Sequence, residues 1–127
     1  MLVVVITGSR SWTNPKPIHA AIHGADLLIV GDCLTGADAI ALAFARANDV
    51  MCAPMVADWQ KLGNPGAAHA RNQAIADRAA AYRNDGLPVR CYAFPLPESK
   101  GTWDCVRQLR AHGLRVEIAQ LSGQMQP

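Results

Sequence analysis

Apolar residues in this chain fall into two rhythms. Short unbroken runs alternate with longer stretches dominated by alanine and other helix formers. Leu2–Thr7 is the first run, three valines and an isoleucine among its six residues. An unbroken run of that length reads as a strand buried on both faces, as in a parallel sheet. Leu27–Val30 and Val50–Val56 repeat the signal, and Val89–Phe94 and a short Arg115–Ala119 read as a fourth and a fifth strand. Helical stretches separate them. The first has Asn14 as N-cap, Pro15 at the first helical position and Gly24 after about His23. The second runs from Gly36 to about Asn48, with alanine at 37, 39, 41, 43, 45 and 47. The third opens at Asn64-Pro65, carries an apolar stripe of Ile75, Ala76, Ala79 and Ala80, and ends at the turn Asn84-Asp85-Gly86. The fourth opens at Gly101-Thr102 with Thr102 as N-cap, and Gly113 ends it after about His112. Gln60–Gly63 reads as a loop. Five strands alternating with four helices, with no internal repeat, predict an α/β fold. It is a Rossmann-like three-layer αβα sandwich with a mostly parallel five-stranded sheet. Residues 1–121 form the single domain and 122–127 a polar C-terminal tail.

The stretch Leu27–Asp38, LLIVGDCLTGAD, organises the rest. Gly31 and Asp32 end a buried strand. Thr35 reads as a helix N-cap, with Asp38 three residues on as its capping-box partner. A strand that runs through a glycine turn into a helix start directs backbone N–H groups and a positive dipole end at one place, which suits a phosphate. The same residues also fit a plain strand–turn–helix corner.

Other strand ends carry similar chemistry. Gly8, Ser9 and Arg10 follow the first strand, offering a close backbone approach, a hydroxyl and a planar guanidinium. Arg10 is either a phosphate ligand or a solvated surface arginine. Trp12 either stacks on a base or caps the core. Asp58 and Trp59 follow the third strand. Arg71 and Asn72 lie near the start of the next helix, as does His69. A cation there opposes the helix dipole, which a bound anion would explain; an exposed arginine is the plain alternative. Lys100, Gly101 and Thr102 open the last helix.

Composition narrows the classes. The chain has 127 residues, half of them hydrophobic and 17% charged, with a net charge of +2. That is globular rather than disordered, and too weakly basic to argue for nucleic acid. No run approaches the roughly 20 apolar residues of a membrane span, and the N-terminus lacks the features of a secretion signal, so a cytoplasmic location is the expectation. Cys33, Cys52, Cys91 and Cys105 form no CxxC pair or metal spacing. They read as reduced, mostly buried thiols. His19 and His23 are four apart but have no third ligand nearby, so neither a metal nor a cofactor is predicted.

GSR after the first strand, GD…GAD after the second, ADW after the third, RN in the following helix and AFP…GT after the fourth together resemble the SLOG superfamily. Within it they resemble the small YspA-like (cpYpsA-related) bacterial and phage proteins, from Val3 to about Val116. The resemblance implies a Rossmann-like fold and a pocket for a nucleotide or nucleotide derivative. Relatives in the superfamily include LOG-type phosphoribohydrolases, the DNA-processing protein DprA and sensors of ADP-ribose-type signals. Arg71 matches the arginine of LOG enzymes. Their glutamate position, counted from Gly101-Thr102, falls on Cys105, with Asp104 one residue before it. Their double glycine is replaced by Pro97-Glu98-Ser99-Lys100.

The reading that follows is binding of a phosphate-bearing nucleotide at the carboxyl ends of the strands. The ligand contacts would come from Gly8, Ser9, Arg10, Trp12, Gly31, Asp32, Thr35, Gly36, Asp38, Asp58, Trp59, Arg71, Asn72, Lys100, Gly101 and Thr102. A LOG-like hydrolase using Arg71 and Asp104 is the first alternative, and a DprA-like nucleic-acid-binding module the second. A homo-oligomer is expected, because SLOG relatives commonly assemble and alanine-rich helices can pack closely across a symmetry axis.

Overall fold

A computed structural model describes residues 1–120 and 125–126. Five parallel strands carry the fold: β1 (Val3–Gly8), β2 (Leu27–Gly31), β3 (Met51–Met55), β4 (Val89–Phe94) and β5 (Val116–Ala119). Their order across the sheet is β3-β2-β1-β4-β5. The order reverses between β1 and β4, the switch point at which doubly wound sheets open a crevice beyond their carboxyl ends. Five helices connect them: α1 (Lys16–Ile22), α2 (Gly36–Ala47), α3 (Trp59–Leu62), α4 (Gly66–Asn84) and α5 (Lys100–Ala111).

Alternation along the buried strands splits the core in two. Val3, Val5, Leu27, Ile29, Cys91 and Ala93 face Ile75, Ala76 and Ala79 of α4 and Cys105, Val106 and Leu109 of α5. Val4, Ile6, Leu28, Val30 and Phe94 face Ile18 and Ile22 of α1 and Ala37, Ala41 and Ala45 of α2. This is the expected three-layer sandwich. The buried alanines of α2 and α4 face the chain's own sheet rather than a neighbouring molecule.

Several local expectations change. Gln60–Leu62, part of the expected Gln60–Gly63 loop, form with Trp59 the helical turn α3, because the Asp58 carboxylate accepts from Lys61 N at 3.0 Å and caps it. Helix α4 starts at Gly66, with Pro65 rather than Asn64 at its N-cap. Helix α5 starts at Lys100, with Ser99 rather than Thr102 at the N-cap. Thr102 is buried instead. In the expected tail, Met125–Gln126 pairs antiparallel with Ile118–Ala119 and forms a sixth strand, β6. That strand covers what would otherwise be an unpaired edge of β5. Residues 122–124 and 127 of the tail lie outside the described residues. At the other edge, β3 tolerates Pro54 because an edge strand has one side with no ladder to break.

The capping box does not form. Thr35 makes no side-chain bond to its own helix; its hydroxyl donates to the Arg10 carbonyl at 2.9 Å. Ala37 N donates to the Ser9 carbonyl at 3.0 Å. The β1–α1 loop thus sits directly on the start of α2. Gly36 makes this contact feasible: its φ is +74°, and a β-carbon there would collide with the Ser9 carbonyl and the Arg10 backbone.

Gly36→Ala should therefore cost about 3 kcal/mol or more, from overpacking together with a strained backbone. Gly101→Ala, where a β-carbon meets open space, should be neutral or stabilising by about 0.5–1 kcal/mol. Urea denaturation midpoints of the two variants test the contrast.

Candidate functional site

β1 and β2 run in register, Ile6 beside Val30, so Thr7 falls beside Gly31, the last residue of β2. Gly31 is small for a reason. A β-carbon there would lie 2.6 Å from Asp38 Oδ2 and 3.3 Å from Arg71 Cζ. Two side chains, one from α2 and one from α4, cross over the strand end in the space that glycine leaves. Arg71 Nη1 donates to Asp32 Oδ1 at 3.2 Å. Its Nε is buried and has no partner among the described residues. Asp38 is buried, and its Oδ2 accepts from Cys33 N at 3.3 Å. Burial pushes the Asp38 carboxyl up to about 6, with the Asp32 charge adding to the rise and Arg71 and the Cys33 N–H opposing it. The anion that a cation near the start of α4 calls for is supplied by the chain itself, as Asp32 and Asp38.

The β1 loop braces this cluster. Ser9 N donates to the Phe94 carbonyl at 2.9 Å, extending the β1–β4 ladder by one residue. Ser9 Oγ accepts from Ser11 N at 3.0 Å. The hydroxyl expected to face a ligand holds its own loop. Arg10 is exposed. Trp12 is a core residue: it is 5% exposed, packs edge-on against Phe94 with ring centroids 5.4 Å apart, and donates Nε1–H to the Asn14 carbonyl at 2.7 Å. Burial leaves it no open face for a base, so the base-stacking expectation for Trp12 is corrected. Trp59 keeps an exposed face. Asp58 is exposed and caps α3, while Lys100 and Gly101 are exposed at the start of α5.

A second polar cluster joins α4 to α5. Asn72, 1% exposed, donates its amide to the Gly101 carbonyl and to Asp104 Oδ2, each at 3.0 Å. Gln108 Nε2 donates to Asp104 Oδ2 at 3.1 Å. His69 Nδ1 lies 3.1 and 3.2 Å from the two Asp104 oxygens. Burial alone would raise the Asp104 carboxyl, but bonds from Asn72, His69 and Gln108 and the His69 charge together hold it below the usual carboxylate range. Asp104 belongs to the second turn of α5, not the first, because the helix starts at Lys100. Burial pushes the Cys105 thiol up to about 12, with the Thr7 hydroxyl and the Arg71 charge opposing the rise and the Asp38 and Asp104 charges adding to it. All four cysteines are free; Cys91 and Cys105 are buried, whereas Cys33 and Cys52 are partly exposed.

Asp32, Asp38 and Arg71 come together as a group, and Asn72 joins Gly101 and Asp104. Sequence reasoning had given no role to the His69–Gln108 pair around Asp104. The signal was present in the i, i+4 spacing of Asp104 and Gln108 and the i, i+3 spacing of His69 and Asn72, which places each pair on one helix face. His19 stacks on Phe44 with ring centroids 4.3 Å apart.

Residues 2–62 match the model of the YspA, cpYpsA-related SLOG family. The similarity covers β1 through α3. It contains Gly8–Arg10, Gly31, Asp32, Thr35, Gly36 and Asp38, whereas Arg71 and the α5 residues lie beyond it. No curated protein and no solved structure matches the chain. No helix among the described residues is long and apolar enough to cross a membrane.

The two carboxylates should leave opposite marks on stability. Asp38 binds its proton more tightly folded than unfolded, so stability should fall as pH rises from about 4 to about 6, and stay low above that. Asp38→Asn should flatten that fall and exceed wild type above pH 6 by on the order of 2 kcal/mol. Asp104 is lowered, so its contribution is present at neutral pH and lost as pH falls through the carboxylate range. Asp104→Asn deprives three donors of a charged acceptor and should cost about 1–2 kcal/mol at pH 7. Denaturant titrations across about pH 2–8 measure both.

Proposed function

We propose that this chain, SLOG-like over residues 2–62, binds a phosphate-bearing nucleotide or nucleotide derivative at the carboxyl end of its sheet. The observation that carries the reading is Arg71. Its guanidinium lies over the glycine that ends β2, near the switch point, with a buried Nε lacking a partner and one bond to a partly exposed aspartate. An arginine held in that state can exchange Asp32 for a phosphate, gaining the second N–H bond that a planar fork and a phosphate make together. Protonation of Asp38 would reduce the negative charge that the incoming phosphate meets. Arg10, Lys100 and the N–H groups of Gly101 and Thr102 would add donors, and Trp59 would supply the flat apolar face for a base.

The hydrolase alternative loses support from geometry. The oxygens of Asp104 already accept bonds from Asn72, Gln108 and His69. That carboxylate works as a clasp between helices rather than as a free group facing a sugar. The nucleic-acid reading gains nothing beyond a net charge of +2. For self-association, support comes from the exposed Leu34, Val56, Trp59 and Leu62, not from the alanines committed to the sheet.

The test is a thermal shift screen over AMP, ADP, ADP-ribose and cyclic nucleotides. A ligand at about a hundred times its dissociation constant stabilises the native state by roughly 2.7 kcal/mol, several degrees for a domain of this size. Arg71→Ala should remove most of the ligand-induced shift. The reading is overturned if no phosphate-bearing nucleotide moves the melting point while free ribose or an unrelated anion does.

A further inference from the structure

We infer that one face of the amino-terminal half of β4 and β5 docks a second copy of this chain, with Arg115 meeting the partner's Glu117 and Arg90 the partner's Tyr92. The inference is independent of the nucleotide reading, because this surface lies away from the carboxyl ends of the strands.

Strand register puts the four side chains on one face. Residues paired across parallel strands share a face, and alternate residues along a strand return to it. Val4 pairs with Arg90 and Ile6 with Tyr92. Tyr92 in turn pairs with Glu117. Cys91 pairs with Val116, so one residue back Arg90 comes beside Arg115. On this face α1 and α2 together pack against β1, β2 and β3. Val4 and Ile6 are 0% exposed beneath them. Beyond β1 the cover gives out: Arg90 and Arg115 are exposed, and Tyr92 and Glu117 are partly buried. Toward the carboxyl end the face closes again, where Trp12 packs on Phe94.

The open part is unbalanced in a single chain. Two guanidinium groups stand side by side on strands about 4.8 Å apart, and like charges opposite each other destabilise a strand pair. The ion pairs among the described residues involve other groups, so neither arginine is neutralised by Glu117. With Val89 and Cys91, the four side chains line a hollow of about 110 Å³. That approaches the roughly 150 Å³ that holds one six-membered ring.

A two-fold axis in the contact plane, at right angles to the strands, answers all four groups. It lays β4 and β5 antiparallel over their own counterparts and exchanges the two rows of side chains. Arg115 then meets the partner's Glu117, Arg90 meets the partner's Tyr92, and each contact occurs twice. An isologous interface needs this kind of self-complementarity. Facing sheets lie about 10 Å apart, a gap that an arginine and a glutamate, or an arginine and a tyrosine, span between them. The first pair can make two parallel N–H···O bonds, and the second stacks a guanidinium on a ring that fills the hollow. An unrelated acidic surface would attract the arginines but repel Glu117. A second copy satisfies both signs.

Sedimentation equilibrium from about 10 µM to about 1 mM, a range in which weak specific dimers dissociate, tests this. The wild-type mass should rise toward twice the 13.6 kDa of one chain. Glu117→Arg sets arginine against arginine twice and should weaken the dimer by about a hundredfold or more, and Arg115→Glu should do the same with carboxylates. The double variant Arg115→Glu/Glu117→Arg restores both pairs across the interface and should return to within about tenfold of wild type. Melting points of the dilute proteins should hardly differ, because these side chains are not paired within one chain. Leu62→Ser, on the exposed apolar surface after β3, should leave the dimer intact. A wild type that keeps the monomer mass throughout overturns the inference, as does a double variant no better than its singles. A dimer lost in Leu62→Ser but kept in Glu117→Arg places self-association on the apolar surface and overturns it as well.

Discussion

The carboxyl end of this sheet depends on two β-carbons that are not there. At Gly36 the absence lets the β1–α1 loop rest on the first turn of α2, so that Ser9 and Arg10 carbonyls take up Ala37 N–H and the Thr35 hydroxyl. At Gly31 it lets Asp38 and Arg71, from helices on opposite faces of the sheet, meet above the strand. The first contact fixes where α2 begins, and so where Asp38 points. The second brings a buried carboxyl and a guanidinium together where a doubly wound sheet opens. Neither contact would survive a larger residue without moving backbone, which ties the local geometry of two turns to the chemistry above them.

The charge arrangement gives that chemistry a direction. A guanidinium beside two carboxylates is not an open anion site, since any phosphate must compete for it. In the proposed reading competition would be favoured because the Asp32 contact is single and partly solvated, and because Asp38 carries a proton more readily than an ordinary aspartate. Water screens the first interaction and burial disfavours the ionised form in the second. The buried Nε of Arg71 is a donor whose hydrogen bond has not been made. An unpaired buried donor is costly, and the cost would be relieved by a partner with several acceptor oxygens.

Strands β1 and β2 were readable from sequence because each is an apolar run closed by a glycine, as a parallel sheet covered on both faces needs, whereas β4 and β5 carry Arg90 and Glu117 and were read from the apolar residues around those charges. Glycines that end helices, such as Gly24 and Gly113, were readable because they adopt positive φ locally. What failed was decided by distant partners. Thr35 and Asp38 have the spacing of a capping box, yet each found a better partner elsewhere, in the Arg10 carbonyl and the Cys33 N–H. Trp12 follows the first strand as a base-stacking residue would, but Phe94 offered it an edge-on apolar contact and Asn14 a carbonyl. Arg71 and Asp32 were each legible as candidates; their pairing across 39 residues was not.

Helix α4 links what the family match covers to what it does not. Successive residues on a helix point about 100° apart. Asn72 and His69, one turn apart, therefore face α5 together, while Arg71 turns toward the end of β2. One stretch of four residues thus reaches the Asp32–Asp38 cluster on one side and the Asp104 cluster on the other. The matched segment, residues 2–62, supplies the floor: the β1 loop, the end of β2 and the start of α2. The cation above that floor comes from α4, and the carboxylates beside it, Asp32 and Asp38, from the matched segment. Specificity within such a pocket would then be set by residues of the second half, acting over a glycine-built floor that the first half holds in place.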